Sequence, residues 1–241
     1  MKYAVLGDIH ANLEALEAVL ADAARRGAEQ YVSTGDIVGY NANPAECMDR
    51  LREIGVPAVQ GNHDHYASDT ESPDFFNPIA RKAILWTRHQ LDAGHRQRLA
   101  ALPMTLRIAD FTIVHSSLFE PEKWGYIFDT GDAAASLLLQ QTPLCFFGHT
   151  HSPATFRMKE GRVEFMLYET LRLEAGWNYL INPGSVGQPR DRNPLAAYAL
   201  YDDRQRTVSL HRVEYDMAAT QAKILKSGLP EADAVRLSFG H

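Results

Sequence analysis

The chain has 241 residues, of which 45% are apolar and 22% charged, and its net charge is −6 at pH 7. That composition suits one globular domain over residues 1–241 with a substantial core, and the negative balance removes any global electrostatic case for nucleic acid or an anionic membrane. Cys47 and Cys145 are too few for a disulfide framework, and no apolar run nears the roughly 20 residues of a membrane span, so a soluble cytoplasmic protein is expected.

The first half alternates strand and helix. A strand over 3–6 leads to a helix over 13–26 in which Leu13, Leu16, Val19, Leu20 and Ala23 share one face, with Asn12 as N-cap and Gly27 as stop. A strand over 31–33 follows, then a helix that Asn43-Pro44 caps and opens and that ends near Ile54-Gly55. Residues 57–60 read as a third strand, and the polar, aromatic-rich stretch 65–77 as an exposed loop. Asn77-Pro78 starts a helix to about residue 91, and Asp92 caps another that stops before Pro103. Residues 104–109 and 111–115 form a hairpin around Asp110, Thr130 caps a helix to about 141, and 144–147 is a wholly apolar strand. Beyond residue 151 the pattern becomes strand-rich, over 155–158, 162–167, 179–181, 196–201 and 207–213, before a helical tail from Met217.

Five segments terminate apolar runs in metal-binding side chains: Gly7-Asp8-Ile9-His10, Gly35-Asp36, Gly61-Asn62-His63-Asp64, His115-Ser116-Ser117 and Gly148-His149-Thr150-His151. Asp8 precedes Asp36 by 28 residues, and Asp36 precedes Asn62 by 26, close to the ~30 residues of a βαβ unit. Strands joined in that way bring their C-terminal ends to one sheet edge, where ligands bind. Asp8 and His10, two apart at an extended strand end, should point to the same side, as should His149 and His151. Oxygen and imidazole donors without thiolates suit two divalent ions drawn from Mn, Fe, Zn, Co or Ni, with Mn favoured, rather than a structural zinc knot. Against two ligand carboxylates, Asp8 and Asp36, such ions leave a positive surplus that suits a hydroxide and an anionic phosphoester.

In order, Asp-x-His, Gly-Asp, Gly-Asn-His-Asp, His and Gly-His-x-His resemble the calcineurin-like metallophosphoesterase superfamily over residues 7–151. Asn182-Pro183-Gly184-Ser185-Val186 extends the resemblance toward its small bacterial and archaeal phosphodiesterase branch. The fold so implied is α/β (α+β), a four-layer α-β-β-α sandwich with two facing mixed sheets. The same resemblance implies that Asp8, His10, Asp36 and His151 hold one metal, that Asp36 bridges, and that Asn62, His115 and His149 complete the second site. A metal-bound hydroxide would attack phosphorus in line while His63, not a ligand, protonates the leaving oxygen; imidazolium near neutral pH suits that duty. Phosphodiester hydrolysis on a small phosphorylated substrate, nucleotides among the candidates, is the leading expectation. The alternatives are a nucleotide pyrophosphohydrolase or dinucleoside polyphosphatase, a Ser/Thr protein phosphatase, and, in a different class, a non-catalytic metal-binding scaffold. The scaffold reading predicts damaged ligands or a replaced His63, and neither is found.

Many protein phosphatases of the superfamily carry Gly-Asp-x-Val-Asp-Arg-Gly, whereas this chain has Gly35-Asp36-Ile37-Val38-Gly39-Tyr40. The missing Asp and Arg remove the usual orienting partner of His63 and one phosphate clamp, which shifts the expectation away from phosphoproteins. Asp64 stands where those phosphatases have Glu, and Ser116 where Gly is frequent. Tyr40 and Arg190 are the candidate substrate contacts, with a surface arginine as the bland alternative for Arg190. The stretch 182–185 reads first as a turn, His65 as a neighbour of the site rather than a ligand, and His211 as exposed. Phe75, Phe76, Phe119, Trp124, Tyr126 and Phe128 either stack a nucleobase or cover a sheet edge or subunit contact; an oligomer is compatible with the sequence but not indicated by it.

Overall fold

A computed structural model describes residues 1–69, 72–74 and 76–241, so Phe75 lies outside the described residues. Eleven strands are described: β1 (Lys2–Leu6), β2 (Gln30–Ser33), β3 (Thr105–Ile108), β4 (Phe111–Val114), β5 (Leu144–Phe146), β6 (Ala154–Lys159), β7 (Arg162–Met166), β8 (Thr170–Arg172), β9 (Asn178–Asn182), β10 (Ala196–Asp202) and β11 (Thr207–Val213). They form two sheets of order β2-β1-β10-β11-β8 and β3-β4-β5-β9-β6-β7. Both sheets are mixed: β1 pairs parallel with β2 and antiparallel with β10, while β4, β5 and β9 run parallel beside antiparallel neighbours. The helices are α1 (Leu13–Arg25), α2 (Pro44–Glu53), α3 (Asn62–Ser68), α4 (Pro78–Gln90), α5 (Ala93–Ala100), α6 (Thr130–Leu139), α7 (Met217–Lys226) and α8 (Glu231–Leu237). None of them is long and apolar enough to cross a membrane.

Strand alternation generates the layers. Side chains two apart share a sheet face, and Tyr3 and Val5 of β1, with Val32, Ala199, Tyr201 and Val208, meet Phe111, Ile113, Phe146, Tyr179 and Ile181 of the other sheet in one buried cluster. The opposite face of β1 and β10 (Ala4, Leu6, Tyr198, Leu200) packs on Leu16, Val19 and Leu20 of α1 and on Met48 and Leu51 of α2. On the far side, Val114, Cys145, Phe147 and Leu180 bury Ala133 and Leu137 of α6. The result is the expected helix, sheet, sheet, helix order. Each large apolar side chain so buried contributes roughly 1.5–3 kcal/mol, and Phe111, in edge contact with Tyr3 at 5.1 Å and Tyr201 at 5.6 Å, ties the sheets together.

Several expectations need correction. Residues 57–60 make only a single bridge, Ser33 to Ala58, because the chain must turn into the Gly61 segment rather than run on beside β2. The expected loop from 65 begins inside α3, whose first residue is Asn62; His65 donates its backbone N–H to Gly61 O at 2.9 Å. Asp129, not Thr130, caps α6, accepting from the N–H groups of Gly131 and Asp132. Strand β8 is an addition to the expected strands, and the helical tail divides into α7 and α8 at Gly228. His211 is half-buried rather than exposed, 5.2 Å from the Tyr198 ring.

The junction of α8 with the body holds an unusual acid. Asp233 is fully buried, and among the described residues neither of its carboxylate oxygens has a hydrogen-bond partner. Burial pushes it up to about 6, with Arg236 and Arg190 pulling the other way. A folded-state value above the unfolded one favours the protonated form. The stability it permits is therefore complete at low pH and lost as pH rises through about 6. Asp233→Asn is expected to stabilise the protein at pH 7.5 by about 1–2 kcal/mol, given 1.36 kcal/mol per pKa unit and the residual polarity of the amide. Calorimetric melting at pH 7.5 and pH 4 should show a gain at the first and none at the second.

Candidate metal centre

The five motif segments converge where strand ends of both sheets meet. Asp8 and His10 follow β1 and Asp36 follows β2, whereas His115 follows β4 and His149 and His151 follow β5. The site is thus shared between two sheets, not built along one sheet edge. A second expectation also fails: the backbone is not extended there. Asp8, His10, Asp36, His149 and His151 all have φ between +46° and +67°, a region that costs non-glycine residues about 1–3 kcal/mol each. Neighbouring loops impose the conformation. His10 N–H donates to Asp36 O at 2.9 Å and Ala11 N–H to Ile37 O at 2.8 Å, and Gly148 N–H donates to His115 O at 2.8 Å.

The side chains form two buried groups that share Asp36. One is Asp8, His10, Asp36 and His151; the other is Asp36, His115 and His149; within each, one donor atom per residue lies within 4.8 Å of all the others. Asp36 Oδ2 is 3.5 Å from His10 Nε2 on one side and 3.5 Å from His115 Nε2 on the other. Backbone carbonyls fix the tautomers. His10 Nδ1 donates to Val38 O, His115 Nδ1 to Thr34 O, His151 Nδ1 to Gln188 O and His149 Nε2 to Trp124 O, all at 2.7–2.9 Å. In a neutral ring the other nitrogen then presents a lone pair. His10 Nε2 and His151 Nε2 therefore face each other at 3.0 Å, and His115 Nε2 lies 3.1 Å from both His149 Nδ1 and Asn62 Oδ1. Acceptor against acceptor at that distance is repulsive unless a cation sits between them, and the buried Asp8 Oδ2 likewise has no donor among the described residues.

The electrostatics agree. Burial pushes Asp8 up to about 7 and Asp36 up to about 8, while burial drives His10, His149 and His151 well below the ordinary imidazole range. Imidazoles held neutral and carboxylates short of countercharge are the forms that ligate divalent cations. Asn182 and Ser185 brace this arrangement. The Asn182 amide donates to Gly148 O at 2.8 Å and to Thr150 Oγ1 at 3.0 Å, and Ser185 Oγ donates to Asp8 O at 2.8 Å. Their turn stitches β9 to both Asp-x-His-like segments.

Residues 1–206 match the family model described as the calcineurin-like phosphoesterase superfamily domain. The chain belongs to that superfamily. It is 40% identical over 243 residues to uncharacterized protein MJ0912 of Methanocaldococcus jannaschii, covering 98% of this chain and 97% of that protein. A metallophosphoesterase from Sphaerobacter thermophilus superposes with a TM-score of 0.90 at 43% identity, covering 100% of this chain and 99% of the other. Phosphodiesterase YfcE of Escherichia coli is 29% identical over 213 residues, 84% of this chain and 88% of that protein. As a member of this superfamily the chain is a hydrolase of phosphoester bonds.

In this phosphoesterase a cleft of about 180 Å³ opens onto the two groups, lined by Asp36, Asn62, His63, His149 and His151 together with Tyr40, Phe76, Tyr126 and Arg190. His63 lies at its base, 3% exposed, between the rings of Tyr40 at 4.5 Å, His10 at 4.8 Å and Phe76 at 5.2 Å. Its Nδ1 has no hydrogen-bond partner among the described residues. Gly39, where related phosphatases have the orienting Asp, leaves the space this ring occupies: a Cβ there would land on His63 Nδ1, and its φ of +98° is itself a glycine conformation. Burial, with the charge of Arg190, drives His63 well below the imidazole range. Asp64 has a structural duty. Its carboxylate accepts from the N–H groups of Ile37, Val38 and Gly61 at 2.9–3.2 Å and so fixes the loop that carries Asp36.

The two candidate substrate contacts, Arg190 and Tyr40, lie side by side, the guanidinium carbon 5.4 Å from the ring centroid. Arg190 bonds the amide oxygen of Gln188 rather than a carboxylate, so its charge is free to act on the cleft. The aromatic segment after β4 has a use that sequence reasoning missed. Tyr126 stacks on His149 at 3.9 Å, Phe128 stacks on Tyr126 at 5.1 Å, and Trp124, at φ +54°, turns its carbonyl to His149 Nε2. These residues hold a candidate ligand in place. No sequence signal marks a main-chain carbonyl.

Proposed function

We propose that the protein hydrolyses small phosphodiesters with two divalent cations, manganese foremost, held by the two donor groups. The observation that carries this reading is Asp36 Oδ2, equidistant at 3.5 Å from one histidine of each group. In it, Asp8, His10, Asp36 and His151 hold the first ion, and Asp36, Asn62, His115 and His149 hold the second. The ions, when bound, would supply a nucleophile from water near neutral pH and offset phosphate charge. The chain's own residues do the rest. Arg190, on the cleft wall, attracts and orients the phosphoryl group, Tyr40 supports that guanidinium from beneath, and His63 delivers a proton to the leaving oxygen. Gly39-Tyr40 in place of Asp-Arg favours diesters over phosphoproteins, as does the E. coli relative's name. A cytoplasmic setting belongs to this reading, since Cys47 and Cys145 are both buried and unpaired.

The test is a metal count on purified protein together with turnover of bis-p-nitrophenyl phosphate in Mn²⁺. Two equivalents of metal and chelator-sensitive hydrolysis are expected. A protein that binds no metal and cleaves no ester would end the proposal.

A further inference from the structure

Gln188 is fully buried beside the metal centre, and all but one of its polar groups are engaged. Its N–H donates to Ser185 Oγ at 2.8 Å, and its main-chain carbonyl accepts from His151 Nδ1 at 2.7 Å. Its side-chain oxygen accepts twice from Arg190, from Nε at 3.3 Å and from Nη2 at 2.8 Å. Nε2 alone has no partner among the described residues. An unpaired buried donor opposes folding, and an apolar side chain of similar length would remove that penalty. What explains the amide is therefore the group its oxygen holds.

The main chain around Arg190 is fixed independently. Arg190 N–H donates to His151 O at 3.2 Å and Arg192 N–H to Gly240 O at 2.9 Å. Only the long side chain is left to be ordered, and the Gln188 oxygen grips one edge of its planar guanidinium. Of the five N–H groups a guanidinium carries, that grip leaves three untouched. Arg190 lines the cleft together with Asp36, His63 and His151. The acceptor is neutral, which decides its effect. A carboxylate at position 188 would hold the guanidinium as well but cancel its charge toward an anion. The neighbouring acids are engaged elsewhere: Asp191 pairs with Arg212 and Asp233 with Arg236 at 4.0 Å, and among the described residues neither pairs with Arg190.

We propose that Gln188 is a positioning residue for Arg190, a neutral oxygen that fixes the guanidinium at the cleft wall with its positive charge intact before a phosphoryl group arrives. A side chain ordered in advance loses less freedom when the anion binds. This role rests on Arg190 as the phosphoryl contact proposed above, but it concerns binding and needs no turnover to be measured.

The test is calorimetric titration of the manganese-loaded full chain with inorganic phosphate at pH 7.5, in the wild type, Arg190→Ala, Gln188→Leu, their combination and Gln188→Glu. Arg190→Ala is expected to weaken phosphate about 30-fold and Gln188→Leu about tenfold, as the loss or loosening of charge-assisted hydrogen bonds does. The double variant should match Arg190→Ala, because a residue that acts only through Arg190 has nothing left to orient. Gln188→Glu, which keeps the acceptor, should also weaken phosphate about tenfold by cancelling the charge in place, and it carries the test if the leucine variant does not fold. Metal content should stay at the wild-type value throughout, since the Gln188 carbonyl that holds His151 belongs to the main chain. Wild-type affinity in either single Gln188 variant, no measurable phosphate binding by the wild type, or metal lost from the Gln188 variants would overturn the assignment. So would losses that multiply in the double variant, as a merely structural role produces. A weakened Arg190→Ala beside an unchanged Gln188→Leu removes the positioning role alone, whereas an unchanged Arg190→Ala also removes Arg190 from the phosphoryl site.

Discussion

Replacing Asp36 by Asn is expected to lower kcat on bis-p-nitrophenyl phosphate by on the order of 10³-fold, or roughly 4 kcal/mol, and to reduce bound metal from two equivalents toward one. The reason is geometric. Oδ2 alone serves both donor groups, whereas Oδ1 is committed to the N–H of His63 at 2.8 Å. An amide keeps that hydrogen bond through its oxygen, so α3 stays in place, but it turns an NH₂ toward the point where the two donor groups meet. The substitution should not unfold the protein. Burial pushes Asp36 up to about 8, above its unfolded value, so without metal the stability of the wild type falls as pH rises through that value. Chelator-treated Asp36→Asn should therefore melt above chelator-treated wild type at alkaline pH while remaining inactive with manganese restored. A variant with two bound metals and near-normal turnover would remove Asp36 from the bridging position.

How much of this site is legible in sequence depends on the kind of information. Residue types and order are enough to gather the five motif segments, because metal chemistry restricts which side chains appear and strand ends restrict where, while the resemblance implies which of their residues, Asp8, His10, Asp36, Asn62, His115, His149 and His151, would be ligands. The sandwich follows in part from period-two alternation, as in Tyr3 and Val5 against Ala4 and Leu6, although the layers were inferred from resemblance. What was not legible is long-range and backbone-borne. Alternation shows that a strand has two faces but not which sheet it joins, so one edge was expected where two sheets contribute. Positive φ at Asp8 and His149 is imposed by hydrogen bonds from distant loops and contradicts local preference. Helix α3 opens with Asn62 and His63, poor helix formers whose use in the site hid the helix. The Trp124 and Gln188 carbonyls that fix two imidazole tautomers leave no trace in residue type.

His63 is where the missing phosphatase aspartate has its largest consequence. In a neutral imidazole one nitrogen carries the proton, and a buried N–H without an acceptor costs about 1–3 kcal/mol. Nδ1 is buried beside Gly39 with no partner among the described residues, so Nε2 is the nitrogen left to exchange a proton with the cleft, the imidazolium being the form that delivers it. Ring packing by Tyr40, His10 and Phe76 thus replaces the orienting carboxylate. His63→Ala should accordingly retain both metals, lose about 10²–10⁴-fold on a dialkyl phosphodiester, and lose far less on bis-p-nitrophenyl phosphate, whose phenolate leaves without help. The pH profile separates this role from a structural one. Because burial holds His63 well below the imidazole range, wild-type kcat/KM on the alkyl ester should already be falling with rising pH in mildly acidic solution, and the variant's profile should lose that limb. Equal losses on the two esters would make His63 a packing residue, and near-normal alkyl turnover with metals bound would leave proton delivery to another group.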